Sequence, residues 1–226
     1  MNDTGCIVIP CFREAGRIGA TVTAVSAHCP HVVVVDDGSG DSTAEEAAAT
    51  GAHVIRHETN RGKGEALNTG FAYALEQGFD FVITMDGDGQ HAPDDIPSFL
   101  NVYKDSDAMV LVGTRMQDTG SMPLVRRLTN CFMSWLLSRM MGQRVPDTQC
   151  GYRLYRTDVL TSMPSMSQRF AAESEILLDL AADGVRIESV PITVIYGDER
   201  SKIRAYRDTL RFFEMLIRWR MHRGRK

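Results

Sequence analysis

Short apolar runs alternate with longer amphipathic stretches over the first half of the chain. Five runs, Cys6–Pro10, Val32–Asp36, His53–Arg56, Phe81–Met85 and Met109–Val112, carry the β-branched and apolar residues of strands. Between them Glu14–His28, Ser42–Ala49, Gly64–Gln77 and Asp94–Tyr103 read as helices. A run such as VVVVD has no polar alternation, so both faces of such strands are expected to be covered, as in a parallel sheet. Strand–helix alternation with short connections predicts an α/β fold with a doubly wound, mainly parallel sheet. No internal repeat or linker divides this body.

After Arg115 the pattern changes. A turn near Gly120–Pro123 leads into PLVRRLTNCFMSWLLSRMMG, a helix in which Leu124, Leu128, Phe132, Trp135 and Leu136 share a broad face while Met133, Leu137 and Met141 spread apolarity further round. Such a helix is either buried or lies against something greasy. A loop over Pro146–Tyr152, a helix over Glu173–Asp183 and a strand over Ile187–Ile195 follow. The last helix, Ile203–Met221, carries an apolar stripe (Ile203, Tyr206, Leu210, Phe213, Ile217) and a basic one (Arg200, Arg204, Arg207, Arg211, Arg218). It either lies in a membrane interface or docks its apolar stripe on the body.

Charge sharpens that choice. The chain has 226 residues, a hydrophobic share of 43%, which excludes wholesale disorder, and a net charge of −4. From Arg200 to Lys226, however, ten Lys/Arg face only Asp208 and Glu214, so an acidic body carries a basic tail. A polyanionic partner, a membrane surface or nucleic acid, suits such a tail; a solvated tail is the alternative. Five cysteines without metal-like spacing favour a reducing cytosol. MNDTGCIVIP lacks the features of a signal peptide. The longest uncharged apolar-rich stretch, Leu128–Ser138, has eleven residues. A spanning helix needs ~20, so none is expected.

Ligands of open α/β sheets sit beyond the carboxyl ends of the strands. Two predicted strands end in acids there, Asp36-Asp37 and Asp86-Gly-Asp88. Carboxylates from adjacent strands would need a cation, and hard oxygens from Asp86, Asp88 and Gln90 suit Mg²⁺ or Mn²⁺ shared with substrate phosphates. A surface Asp-Gly turn is the plainer reading of either segment alone. NRGKGEALNTG is not a Walker A loop, since Gly64 follows Lys63, though Lys63 could still meet a diphosphate. DGDGQH lacks the spacing of a calcium loop, and neither HExxH nor GxSxG occurs.

Six segments stand in order: IPCFRE, VVDDGSGDST, NRGKGEALNTGFAYA, TMDGDGQHAPDDI, VGTR and DTQCGYRLYR. Over residues 5–210 the chain resembles glycosyltransferase family 2, in the branch of dolichol-phosphate mannose synthases and bacterial polyprenyl-phosphate glycosyltransferases. The resemblance implies a GT-A fold, a nucleotide-diphosphosugar donor, a divalent metal and inversion at the anomeric carbon. It gives residues 1–199 as the transferase domain and 200–226 as a basic amphipathic helix and tail, belonging to the same domain or touching a membrane.

Residue by residue, the resemblance implies that Pro10, Phe12, Glu14, Val35 and Asp37 line the nucleoside pocket. Asp86, Gly87, Asp88 and Gln90 match the metal and diphosphate segment, while Arg115 and Arg126 match positions gripping an acceptor phosphate. Two positions depart from the pattern. Asn130 stands where the family has Ser, and Tyr196 stands six places before Lys202 where it often has Arg; Arg200 is the nearest substitute for the missing donor-side charge.

A lipid phosphate acceptor is already anionic near neutral pH, with a second pKa of about 6. A hydroxyl acceptor would need a base, for which Asp147 is the candidate, although it could instead orient the Gly151 turn. Glu173 and Glu175 could support the acceptor loop or be ordinary first-turn helix acids. The expected protein is a cytoplasmic, peripherally membrane-associated transferase acting on a polyprenyl phosphate. An integral membrane partner is left open and nucleic acid is not expected. A hydroxyl-directed transferase and a non-catalytic nucleotide-sugar-binding or adaptor protein are the alternatives.

Overall fold

The unbroken apolar runs become the middle of a sheet. The computed structural model describes residues 3–115, 124–162, 172–193, 195 and 205–223. The first half runs β1 (Gly5–Cys11), α1 (Ile18–Ser26), β2 (Val32–Asp36), α2 (Thr43–Ala49), β3 (His53–Arg56), α3 (Lys63–Glu76) and β4 (Phe81–Thr84). A 3-10 turn (Pro93–Asp95), α4 (Ile96–Asp105) and β5 (Val110–Thr114) follow. The second half comprises α5 (Leu124–Met141), β6 (Arg153–Arg156), α6 (Thr157–Ser162), α7 (Ala172–Ala182), β7 (Ile187–Pro191) and α8 (Ala205–Arg223).

The strands lie in the order β3-β2-β1-β4-β6-β5-β7. All pairs are parallel except those of β6, which runs antiparallel to β4 and β5. Every residue of β1, β2, β4 and β5 is buried. Helices cover both faces, as the missing alternation requires. Close approach of α3 to β1 depends on Gly70, where an added Cβ would come within 2.3 Å of Val8 Cγ1.

Several expectations are revised. The first helix begins at Ile18 rather than Glu14, because Arg13 (φ 60°) and Gly16 (φ 82°) occupy left-handed backbone before it. The strand expected to reach Ile195 ends at Pro191, although Ile192 N–H still donates to Thr114 O at 3.1 Å. Strand β6 and helix α6 were not expected. The strands bearing Asp37 and Asp86 are not adjacent either: β1 lies between them.

Helices α5 and α8 pack on each other and on α7. Helix α8 docks Phe212, Met215 and Leu216, while Phe213 and Ile217 of the expected stripe are exposed, as is Met221. Trp219 Nε1 donates to Asp179 Oδ1 at 2.7 Å, fixing α8 to α7. Helix α5 buries Met133, Ser134, Leu137 and Met141 but leaves Val125, Leu128, Phe132 and Trp135 in solvent. Each helix therefore has one docked stripe and one bare apolar stripe. The turn at 120–123 and the boundary at 199/200 lie outside the described residues.

Candidate active site

Parallel strands deliver the acidic ends of β1, β2 and β4 to one rim. Pro10 and Val35 are cross-strand partners at the buried ends of β1 and β2. Beyond them Phe12 is 38% exposed, with the Arg13 guanidinium 5.1 Å from its ring centroid, leaving a ring on which a planar base could stack. Glu14 is held from below: its N–H donates to Thr43 Oγ1 at 2.9 Å, and Arg17 Nη2 lies 2.6 Å from its carboxylate.

Asp36 and Asp37 do different things. Asp36 is fully buried; its Oδ1 accepts Ser39 N–H at 3.0 Å, and Arg56 Nε approaches Oδ2 at 3.2 Å. Asp37 Oδ1 accepts the Arg61 N–H (2.9 Å) and the His57 Nδ1–H (2.8 Å), and Oδ2 accepts the Gly62 N–H (2.8 Å). His57 Nε2 meets Thr69 Oγ1 at 2.9 Å, so Thr69 on α3 helps orient the ring. This arrangement ties the loop before α3 to the end of β2. It leaves acceptor capacity on Asp37 Oδ2 for a base N–H.

The same loop reaches the end of β4. Lys63, the first residue of α3, places Nζ 2.5 Å from Asp86 Oδ1 and 2.9 Å from Glu173 Oε1 on α7. Burial alone would raise the Asp86 carboxyl, but the Lys63 ammonium, with help from His91, holds it down at about 2. For Lys63 burial opposes the charge, yet the two carboxylates carry its pKa above the ordinary lysine value. Asp88 Oδ1 accepts Gln90 N–H at 3.0 Å, and Gln90 O accepts Ile195 N–H at 3.0 Å, so the DGDGQ turn is closed on itself and fastened at Gln90. Gly87 is closely packed, since a Cβ there would stand 3.1 Å from Cys11 Cβ.

His91 is buried, with Nε2 3.7 Å from Asp86 Oδ2 and its ring tilted on Tyr152. Its Nδ1 has no hydrogen-bond partner among the described residues. Burial, offset in part by Asp86, lowers its pKa and favours the neutral ring.

On the other side of the rim, Arg115 follows β5 and Asp147 precedes β6. Asp147 is fully buried, with Oδ2 2.6 Å from Arg115 Nε and Oδ1 2.8 Å from Nη2; the Arg115 N–H also donates to Oδ2 at 3.3 Å. This two-pronged pair commits both Asp147 oxygens and gives Asp147 the role of fixing Arg115. Thr148 and Ser134 join the same loop to α5, with the Thr148 N–H donating to Ser134 Oγ at 3.0 Å.

Arg153 completes the floor. It is fully buried and donates to Cys150 O (2.7 Å), Thr148 O (2.9 Å), Glu173 O (2.6 Å) and Tyr155 Oη (3.3 Å). One guanidinium thus shapes the 148–150 loop and the first turn of α7 that carries Glu173. Each bond to a charged donor contributes about 1.5–3 kcal/mol, which offsets the cost of burying the charge.

Of the sequence candidates, Pro10, Phe12, Glu14, Val35, Asp37, Lys63, Asp86, Gly87, Asp88, Gln90, Arg115 and Asp147 all lie on this rim. Arg126 and Asn130 lie on α5 one turn apart; Asn130 is half-buried, and the Arg126 side chain is outside the described residues. Tyr196, Arg200, Ser201 and Lys202 also lie outside them. Sequence reasoning did not single out His57, His91 or Arg153, and it did not foresee the Lys63–Glu173 contact.

Asp86, Asp88 and Gln90 would offer a cation oxygen donors only. Among the described residues, no three His, Cys, Asp or Glu side chains gather at metal-binding distance. Mg²⁺ commonly takes one or two carboxylates plus substrate phosphates, so the donors fit in chemical type.

The model of the Glycosyl transferase family 2 matches residues 6–163. An undecaprenyl-phosphate mannosyltransferase of Micrococcus luteus is 31% identical over 83% of this chain and 82% of its own. A UDP-N-acetylglucosamine–dolichyl-phosphate N-acetylglucosaminyltransferase of Methanococcus voltae is 30% identical over 85% of this chain and 86% of its own. Among solved structures, glucosyl-3-phosphoglycerate synthase from Mycobacterium tuberculosis, in complex with Mn²⁺, uridine-diphosphate and phosphoglyceric acid, superposes with a TM-score of 0.73. That match covers 96% of this chain and 78% of the other at 19% identity, and it shows a shared GT-A fold. Carboxylates at the sheet rim, the family match and the common fold agree that this chain belongs to glycosyltransferase family 2.

Proposed function

We propose that the protein is an inverting transferase that moves a sugar from a nucleotide-diphosphosugar to the phosphate of a polyprenyl phosphate at the cytoplasmic face of a membrane. The observation that carries this reading is the Arg115–Asp147 pair. Asp147 is the candidate base for a hydroxyl acceptor, yet both its oxygens hold Arg115 and it is fully buried. Glu173 is likewise engaged by Lys63. An acceptor that arrives as an anion needs neither carboxylate as a base.

A phosphate oxygen of the acceptor attacks the anomeric carbon while that carbon's bond to the diphosphate oxygen breaks, and the electron pair leaves with the nucleoside diphosphate. Phe12 and Asp37 bind and orient the base. Lys63, at the N-terminus of α3, faces the diphosphate, where helix-end amides favour anions. Asp86, Asp88 and Gln90 would hold Mg²⁺ or Mn²⁺, which when bound supplies charge neutralisation for the leaving group. Arg115, oriented by Asp147 along its Nε–Nη2 edge, offers Nη1 to the acceptor phosphate, with Arg126 and Asn130 as the α5 partners. Arg200 and Lys202 complete the donor side.

The bare stripe of Val125, Leu128, Phe132 and Trp135, alongside exposed Arg127, supports a peripheral lipid contact next to this acceptor side. Among the described residues no helix is long and apolar enough to cross a membrane. One relative's name joins a mannosyltransferase to undecaprenyl phosphate and another's joins UDP-N-acetylglucosamine to dolichyl phosphate, which supports the same acceptor class. The test is a panel of nucleotide sugars with Mg²⁺ or Mn²⁺, offered polyprenyl phosphate or soluble saccharides. A glycolipid that releases its sugar in mild acid is expected. Transfer to soluble hydroxyls alone would overturn the acceptor assignment.

A further inference from the structure

Lys63 pairs with an oxygen of Asp86, a carboxylate of the proposed metal set. Its Nζ lies 2.5 Å from Asp86 Oδ1 and 2.9 Å from Glu173 Oε1, and all three side chains are less than one-third exposed. Gly151 keeps the backbone close to this cluster: a Cβ there would stand 3.0 Å from both Asp86 oxygens and 3.1 Å from Glu173 Oε1, crowding the two carboxylates. Arg153, bound to Glu173 O at 2.6 Å, holds the far anchor in place. The ammonium therefore has two fixed carboxylates to choose between, one belonging to the proposed metal set and one outside it.

We infer that Lys63 guards the metal position, competing with a divalent cation for Asp86 until a diphosphate arrives. This rests on the reading of Asp86 as a metal ligand given above. An ammonium in contact with Asp86 reduces the negative charge that the carboxylate offers a divalent cation, and the mutual repulsion of the two cations in a half-buried site penalises joint occupancy. A donor diphosphate resolves the conflict. It offers Lys63 a new anion at the α3 N-terminus while Glu173 retains the other side of the ammonium, and it supplies the cation with further oxygens. Cation and donor thus bind together more readily than the cation binds alone, which limits loading of the site when no sugar donor is present.

The test uses the full chain with Mn²⁺ alone, titrated by the loss of its free-ion EPR signal. Lys63→Met, with Lys63→Gln as a second variant should the first not fold, is expected to bind Mn²⁺ at least tenfold more tightly than the parent. The gain is expected to persist from 0.15 to 0.5 M KCl, since a contact pair is screened far less than distant surface charge. Equal or weaker affinity in the variants, or a gain that vanishes at 0.5 M KCl, overturns the inference and leaves the transferase reading intact. Absence of Mn²⁺ binding in every protein overturns both the inference and the metal assignment. Failure of polyprenyl phosphate as an acceptor leaves the Mn²⁺ outcome unaffected.

Discussion

Replacing Asp147 by Asn separates two roles that the sequence left open. The substitution keeps the size of the side chain but removes its charge, leaving the Arg115 guanidinium buried without its counter-ion. In the structure that pair has contacts of 2.6 and 2.8 Å, with Asp147 fully buried and the Arg115 side chain only 11% exposed. Breaking such a pair by removing one partner costs about 3–5 kcal/mol, and solvent offers little relief here. With a urea m-value near the upper end for small domains, about 2–3 kcal/mol/M, the unfolding midpoint falls by roughly 1–2.5 M. The assay is urea denaturation followed by circular dichroism, with Arg115→Met/Asp147→Leu as the companion. Apolar replacement of both partners removes the buried charge altogether, so the double variant recovers most of the stability. A midpoint shift under about 0.3 M for Asp147→Asn, together with lost turnover, would refute this account and restore Asp147 as a base.

Two further outcomes follow from the same structure. Phe132→Ser/Trp135→Ser removes half-covered aromatic rings from the bare stripe of α5, each contributing about 1 kcal/mol to lipid insertion; co-sedimentation with anionic liposomes is expected to weaken roughly tenfold or more, and unchanged partition with an unchanged urea midpoint would rule the stripe out as the contact. Burial, aided by the Asp3 carboxylate 3.0 Å from its hydroxyl, pushes the Tyr103 phenol up to about 12. The folded state holds that proton more tightly than the unfolded chain, so this contribution is intact below pH 10 and is lost as pH rises towards 12. The parent is therefore expected to lose more of its urea midpoint between pH 9 and 11.5 than Tyr103→Phe does, and equal losses would argue against the shift.

What the sequence made legible follows from how far each feature depends on neighbours in the chain. Val32–Asp36 and His53–Arg56 are strands with the expected bounds, because a run of β-branched residues between turns specifies its state locally. Arg-Leu-Tyr-Arg did not read as β6, since a sheet interior is a poor place for Arg153 unless four acceptors are arranged around it. Those acceptors belong to the 148–150 loop, Tyr155 and α7, which no local pattern brings together. On α8 the docked face is Phe212 and Leu216 while Phe213 and Ile217 of the stripe stay exposed, and with apolar residues at all four positions periodicity cannot choose the docked face. At the rim, DGDGQ and Lys63 were identified by residue type. The Lys63–Glu173 contact joins positions 110 residues apart and depends on α7 reaching the end of β4. His57 was equally hidden, because its partner Asp37 lies on another strand and Thr69 on a helix.

The reversed direction of β6 has a consequence for how the rim is divided along the chain. Parallel neighbours bring their carboxyl ends to the rim, whereas β6 brings its amino end. The segment carrying Asp147, Gln149 and Gly151 therefore enters from α5 and leaves straight down the middle of the sheet. Within it Asp147 and the carbonyls of Thr148 and Cys150 are held by Arg115 and Arg153, apart from β1, β2 and β3, which frame the proposed nucleoside side. In the proposed transferase, the donor and acceptor sides would therefore rest on separate stretches of chain that meet near the Asp86 carboxylate.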